Sequence, residues 1–191
     1  MGRKKPKIEY RLDSSGIKDL SVEEIRAILR AADELIATGG RSMLAKILKG
    51  SKDKRVLKHE LHKCHVYGFY SHLSLPEITK RIDWMIKHGY LEIEYSGRLP
   101  VIVFSKKGWE IERETYAEEL LQKLQNLLSG NDYSFVAELK DRNRGMILLL
   151  IEKIKSTNKP EFIPLLKAWQ NVDYKKVRMA LQDAIDALEY K

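Results

Sequence analysis

Between residues 40 and 108 the spacing of apolar residues changes from helical to alternating, and this limits the fold more than any other feature of the 191-residue chain. Met43, Leu44, Ile47 and Leu48 fall on one face of a short helix, and Gly50 stops it. Val56, Leu57, Leu61 and Cys64 form a further apolar stripe that runs up to Tyr67 and Gly68. Ser74 and Glu77 form a capping box, with Pro76 in the first turn, where its missing N–H does no harm. The helix they open buries Ile78, Ile82, Met85 and Ile86 and ends at Gly89. Residues 90–95 and 100–104 then read as strands, joined through Ser96, Gly97, Arg98 and Leu99. Helix, short helix, helix and hairpin in that order predict a mainly α fold with a small β-hairpin. That is a helix-turn-helix closed by a two-stranded wing, a winged helix.

The same stretch carries the charge. Residues 40–107 hold 14 Lys and Arg against 6 Asp and Glu, a net +8 that equals the +8 of the whole chain. Residues 1–39 contribute +1 and residues 108–191 contribute −1. Charge confined to one compact module is the footprint of a polyanion-binding surface, with nucleic acid the leading partner and anionic lipid second. The longest apolar run, residues 146–151, is far too short for a bilayer span, so no membrane partner is expected. The opening MGRKKPKIEY lacks the apolar stretch of a secretory signal. A single cysteine, Cys64, excludes an internal disulfide and a cysteine-based zinc cage. A reducing setting, cytoplasmic and nucleoid-associated, is therefore expected.

The flanks follow the same reading. Residues 1–16, with Arg3, Lys4, Lys5, Lys7 and Arg11 beside Pro6 and Gly16, are expected to be a flexible basic arm. Ser21 and Glu24 cap a helix over residues 21–38, ended by Gly39 and Gly40. Ser105 caps a long helix reaching about residue 128. Ser129, Gly130, Asn131 and Asp132 make the clearest break. The expected domains are thus a winged helix with flanking helices at 17–128 and a helical domain at 132–191. The latter has helices over 135–139, 146–154, 160–170 and 172–188. It shows no chemistry, and its helical pairs suggest a protein-docking role.

Several segments resemble the RQC domain, the winged helix that follows the helicase lobes in RecQ-type DNA helicases. Gly40, Leu44, Leu48, Gly50, Ser51 and Lys52 match a G-x-x-x-L-x-x-x-L-x-G-S-K run, which continues through Val56, Leu57 and Lys63 to Tyr67 and Gly68. Ile82, Asp83, Met85, Ile86, Gly89, Tyr90 and Leu91 match an I-D-x-[LM]-I-x-x-G-Y-L segment, and residues 100–108 match P-V-I-x-[FL]-[ST]-x-x-G. The resemblance implies binding to duplex or branched DNA. It further implies phosphates held near helix starts by small polar and basic residues, and a wing able to act as a strand-separating wedge. Such helicases also carry ATP-binding lobes and a cysteine-ligated zinc subdomain. Here no G-x-x-x-x-G-K-[ST] motif occurs and one cysteine cannot build the zinc site, so a stand-alone RQC-like protein is expected. The family often has Gly-His within the third helix, where this chain has Glu60 and Leu61. The wing is short, with Tyr95 the one aromatic placed to act as a wedge, which argues against strand separation by this chain alone.

The candidate contacts have a physical basis. Ser42, Ser51 and Ser74 lie near helix starts, where open backbone N–H groups and the helix dipole favour an anion. Arg41 adjoins the first of these starts, and Lys52, Lys54 and Arg55 follow the second. Lys80, Arg81 and Lys87 take the outer side of the fourth helix, the recognition-helix position. Arg98 sits at the wing tip, with Lys106 and Lys107 just after the wing. Asn and Gln, the usual base readers, are absent from residues 40–108, which favours shape recognition over sequence reading. His59, His62, Cys64 and His65 invite a zinc site, but Cys64 continues an apolar stripe and H-E-x-x-H is absent, so no metal is expected. Asp83 and Trp84 read as helix surface, Trp109 and Trp169 as core. No catalytic set or cofactor site emerges. A non-enzymatic DNA-binding protein acting in repair or replication is expected. The alternatives are an RNA- or ribosome-associated winged helix, or an adaptor whose residues 132–191 dock a protein.

Overall fold

A computed structural model describes residues 11–130 and 132–189. The chain forms two compact units, Met1–Glu112 and Arg113–Lys191. Residues 1–10 of the expected basic arm lie outside the described residues.

The first unit is the winged helix. Helix α1 (Val22–Asp33) opens on the predicted capping box: the Ser21 hydroxyl accepts from the Glu24 N–H at 3.1 Å, and the Glu24 carboxylate accepts from the Ser21 N–H at 2.9 Å. Helices α2 (Arg41–Lys49), α3 (Lys54–Lys58) and α4 (Leu75–Lys87) come next, then strands β1 (Leu91–Ser96) and β2 (Leu99–Phe104). The strands pair antiparallel, with Leu91 opposite Phe104 and Ser96 opposite Leu99. Ile28, Leu29, Leu44, Ile47, Leu48, Ile78, Ile82, Met85, Leu91 and Ile102 are all within one per cent of full burial and share one core. Each such side chain contributes on the order of 1.5–3 kcal/mol. Helices of five to thirteen residues depend on that burial, since isolated helices of this length are marginal.

Two glycines hold close approaches. Gly50 takes a left-handed conformation (φ 75°) at the end of α2, and a Cβ there would lie 3.0 Å from the Gly68 Cα. That contact brings the loop after α3 onto α2, where Gly68 and Tyr70 donate to the carbonyls of Ile47 and Leu48 at 3.0 and 2.8 Å. Gly108 packs directly beneath the Tyr90 carbonyl.

The winged-helix expectation is met, with local departures. Helix α1 ends at Asp33 rather than running to the glycines. Residues 34–38 turn instead, with Ala37 at φ 59°, so that Ala37 donates to the Ile102 carbonyl and Ile102 to the Gly39 carbonyl, each at 2.9 Å. The link from α1 to α2 is thereby laced to the wing. The third helix breaks after His59 because Glu60 is left-handed (φ 56°), and a tight turn over Leu61–Lys63 comes after it. This is where the family resemblance places a glycine. Asp83 and Trp84 are buried, at 2% and 4% exposure, not on the helix surface. Residues 11–16 fold against α4: the Asp13 N–H donates to Asp83 at 2.8 Å. Cys64 is buried, as its stripe suggested.

Helix α5 (Lys106–Leu127) opens on Ser105, whose hydroxyl accepts from the Gly108 N–H at 3.0 Å. The two units divide within α5, earlier than the break at 129–132. The reason is local: the Lys123 ammonium sits 3.4 Å from the Phe135 ring centre, and Lys153 pairs with Glu114 at 3.1 Å, tying residues 113–127 to the C-terminal helices. In this second unit α6 (Arg144–Ser156) and α7 (Ile163–Gln170) both pack on α8 (Lys175–Glu189). Leu150, Ile154, Phe162, Leu165, Leu166, Trp169, Leu181 and Ala184 are fully buried. The Trp169 indole donates to the buried Asp173 carboxylate at 2.8 Å.

Two substitutions test this description. Gly108→Ala drives a methyl into the Tyr90 carbonyl and will cost roughly 2–3 kcal/mol in urea denaturation. Glu60→Gly relieves a left-handed non-glycine residue and will raise stability by about 1 kcal/mol.

Candidate nucleic-acid interface

The start of α2, helix α3 and the wing turn enclose a groove of about 800 Å³, lined by Ser42, Lys46, Arg55, His59, Ser96 and Leu99 among others. Helix α2 opens on Gly40, so no side chain caps its first turn. Gly40 and Ser42 both line the groove, which places an open, partly positive helix end in its wall.

The start of α3 is built differently. Asp53 caps it, accepting from the Arg55 N–H at 2.9 Å and from the Lys46 ammonium at 2.6 Å. Those two hydrogen bonds, Lys46 first, hold the Asp53 carboxyl below the usual carboxylate range. The Ser51 hydroxyl accepts from the Asp53 N–H at 3.2 Å and so is turned inward. The anion position at this helix start is therefore occupied by the chain's own carboxylate. Lys52, Lys54 and Arg55 nevertheless project from the same turn with exposed side chains.

At the wing, Arg98 is exposed and Tyr95 is half-buried opposite Pro100. Leu99 is the large apolar residue presented at the turn, 65% exposed. Sequence reasoning missed it by looking for an aromatic; the available signal was an apolar side chain directly after the Gly97-Arg98 turn. Lys106 and Lys107 are exposed at the opening of α5, the Lys107 ammonium 3.5 Å from the Tyr90 ring centre.

The α4 residues and Arg41 form a separate, internally bonded cluster. One Arg41 guanidinium nitrogen lies 2.6 and 2.7 Å from the two oxygens of Asp83, so Arg41 serves an internal ion pair and only 15% of its side chain is exposed. Lys80 donates to the Ser15 hydroxyl at 2.9 Å and pairs with Asp13 at 3.7 Å, and Lys87 donates to Ser14 at 3.3 Å. The Ser15 N–H and hydroxyl, with Lys80 and Lys87 nearby, keep the Asp13 carboxyl below its ordinary value. Arg81 donates to Glu24 at 3.3 Å and lies 5.3 Å over the Tyr70 ring. Burial pushes the Glu24 carboxyl up, but hydrogen bonds from Ser21, Tyr70 and Arg81 outweigh it and leave the net shift downward. Burial and the Glu24 carboxylate together push the Tyr70 hydroxyl up, so it stays a donor. Ser74 is held by Glu77 in its capping box, at 2.6 Å. The expected recognition-helix face is thus engaged by α1 and residues 13–15. Among the described residues, no group of three or more His, Cys, Asp and Glu is placed to hold a metal ion, and no helix is long and apolar enough to cross a membrane.

A family model described as the RQC domain matches residues 17–126, more than half of the chain and all of the winged helix. The chain belongs to the RQC domain family. The ATP-dependent DNA helicase RecQ of Bacillus subtilis (strain 168) is 33% identical over 69 residues. The matched segment is 36% of this chain and 12% of that helicase, so this RQC protein corresponds to a small part of its relative. No solved structure matches the chain.

The internal cluster separates two kinds of cation. Arg41→Ala strands a buried carboxylate and will cost about 3 kcal/mol in urea denaturation. Lys54→Ala, at an exposed position, will leave the denaturation midpoint unchanged within error.

Proposed function

We propose that this RQC protein is a non-enzymatic DNA-binding module that holds duplex or branched DNA mainly through phosphate contacts, in repair or replication. One observation carries the reading. The groove beside the wing joins the uncapped start of α2 to Arg55, with Lys52 and Lys54 on the adjoining turn and Arg98 at the wing tip. A helix start and exposed cations around a concave surface suit a phosphate backbone. The named DNA helicase relative supports DNA over other polyanions. The stretch lacks Asn and Gln, which favours recognition of shape. Because Lys80, Arg81 and Lys87 are engaged within the fold, the contact surface is assigned to the groove, the wing and the start of α5 rather than to α4.

The test is fluorescence anisotropy on duplex, forked and four-way DNA and on duplex RNA of matched length, across a range of salt. Neutralising about six phosphates predicts a slope of log K against log salt near −5 for duplex DNA. Lys52→Glu with Lys54→Glu will weaken duplex binding at least tenfold and flatten the slope. A flat slope in the parent protein contradicts the electrostatic mechanism. Binding to duplex RNA alone would move the protein to RNA metabolism, and binding to no nucleic acid would make the basic face a protein-docking surface.

A further inference from the structure

The second unit carries a charge pattern of its own. Residues 113–191 hold 13 Lys and Arg and 12 Asp and Glu, close to balance. Six of those cations, Lys140, Arg142, Arg144, Lys175, Lys176 and Arg178, fall in the two short segments 140–144 and 173–178, with only Asp141 and Asp173 among them. The rest of the unit is left with 7 cations against 10 acids. Positive charge is therefore concentrated in two short segments of an otherwise acidic unit, and residues of both segments, with Lys140, Arg142 and Arg144 as the cations, meet in one place.

That place is concave. The two segments line a cavity of about 290 Å³, with Lys140, Arg142 and Arg144 on one wall and Tyr174 on the other. The buried side chains of Ile147 and Val177 also line it and give it an apolar floor. Tyr174 is 53% exposed, one of the few large apolar or aromatic side chains the protein leaves in solvent, and the Lys140 ammonium lies 4.8 Å from its ring centre. Arg142 donates to the Tyr116 hydroxyl and is steadied above that ring. Of the two acids, Asp173 is turned inward, accepting from the Trp169 indole at 2.8 Å and from the Tyr174 N–H at 2.6 Å. Asp141 is exposed.

We infer that this cavity is a second nucleic-acid site, which takes single-stranded DNA or RNA by stacking a base on Tyr174 and holding the flanking phosphates with Lys140 and Arg144. An aromatic platform inside a cationic rim is the arrangement that binds single strands with little sequence preference. A depression of this size matches one splayed-out nucleotide over an apolar floor. The site goes beyond the groove of the first unit and is tested separately from it.

The test is anisotropy of a labelled short oligo-dT with the full chain. Tyr174→Ala will weaken oligo-dT binding about tenfold, the loss expected for one stacked base, while Tyr174→Phe retains it. Arg144→Glu will weaken it as well, and none of the three will move the thermal midpoint or change duplex affinity by more than about twofold. Lys52→Glu with Lys54→Glu gives the opposite pattern, losing duplex and keeping oligo-dT, so failure of the first unit's site is visible apart from failure of this one. The inference is overturned if Tyr174→Ala binds oligo-dT as the parent does. It is equally overturned if a labelled poly-glutamate peptide binds with the same dependence on Tyr174 and Arg144 while oligo-dT does not.

Discussion

Asp83 is a carboxylate with 2% of its side chain exposed in the middle of a core helix, and leaving it unpaired would be costly, so three parts of the winged helix meet at it. Arg41 supplies the charge from the first residue of α2, and the Asp13 N–H supplies a further hydrogen bond from the segment before α1. One buried group thus fixes α2 against α4 and draws residues 11–16 onto the fold. From α2 the constraint passes to the wing, because the Ala37–Gly39 turn just before it exchanges hydrogen bonds with Ile102 of β2. The groove lies where those constraints meet, bounded by the start of α2 and the turn of the hairpin. Its shape is a consequence of a pairing that itself takes no part in the proposed contact with DNA.

The cations of the basic stretch divide accordingly. Arg41, Lys46, Lys49, Lys63, Lys80, Arg81 and Lys87 all have partners inside the protein, from Asp83 to a backbone carbonyl. Lys52, Lys54, Arg55, Lys58, Arg98, Lys106 and Lys107 stand exposed around α3, the wing and α5, with Arg55 near Asp53 at 3.7 Å and Lys107 over the Tyr90 ring. A net charge of +8 over residues 40–107 therefore overstates what is presented to a partner in any one direction. Surface pairs of this kind are weak, so the contacts of Lys80 and Lys87 with residues 13–15 add little to stability.

What was legible in the sequence was what is local. Both capping boxes, the stop at Gly50 and the long helix after Ser105 form among residues close in the chain, and each appears as read; the hairpin is present too, but its strands pair one residue further along, Ser96 with Leu99, and leave only Gly97 and Arg98 in the turn. What was hidden is what depends on distant partners. Asp83 looked like surface because its partner is 42 residues away, and the ion pair that occupies Arg41 was hidden for the same reason. Helix α1 stops early because the chain after it is needed for pairing with β2, which no helical periodicity reveals. The third helix breaks at Glu60, a residue whose type gives no warning of a left-handed backbone. The packing units part within one continuous helix, where a change of packing partner leaves no sequence signal, while the family match runs on to residue 126, near the glycine-containing break.

In the proposed mode of binding the groove and wing, not the outer face of α4, meet the DNA. Amide chemical-shift mapping of the isotope-labelled full chain during titration with a short duplex tests it residue by residue. Shifts concentrated at residues 40–43, 52–59 and 96–107, with the amides of α4 little moved, are the predicted result. Shifts concentrated on Lys80, Arg81, Lys87 and residues 13–15, with the groove unmoved, would contradict it.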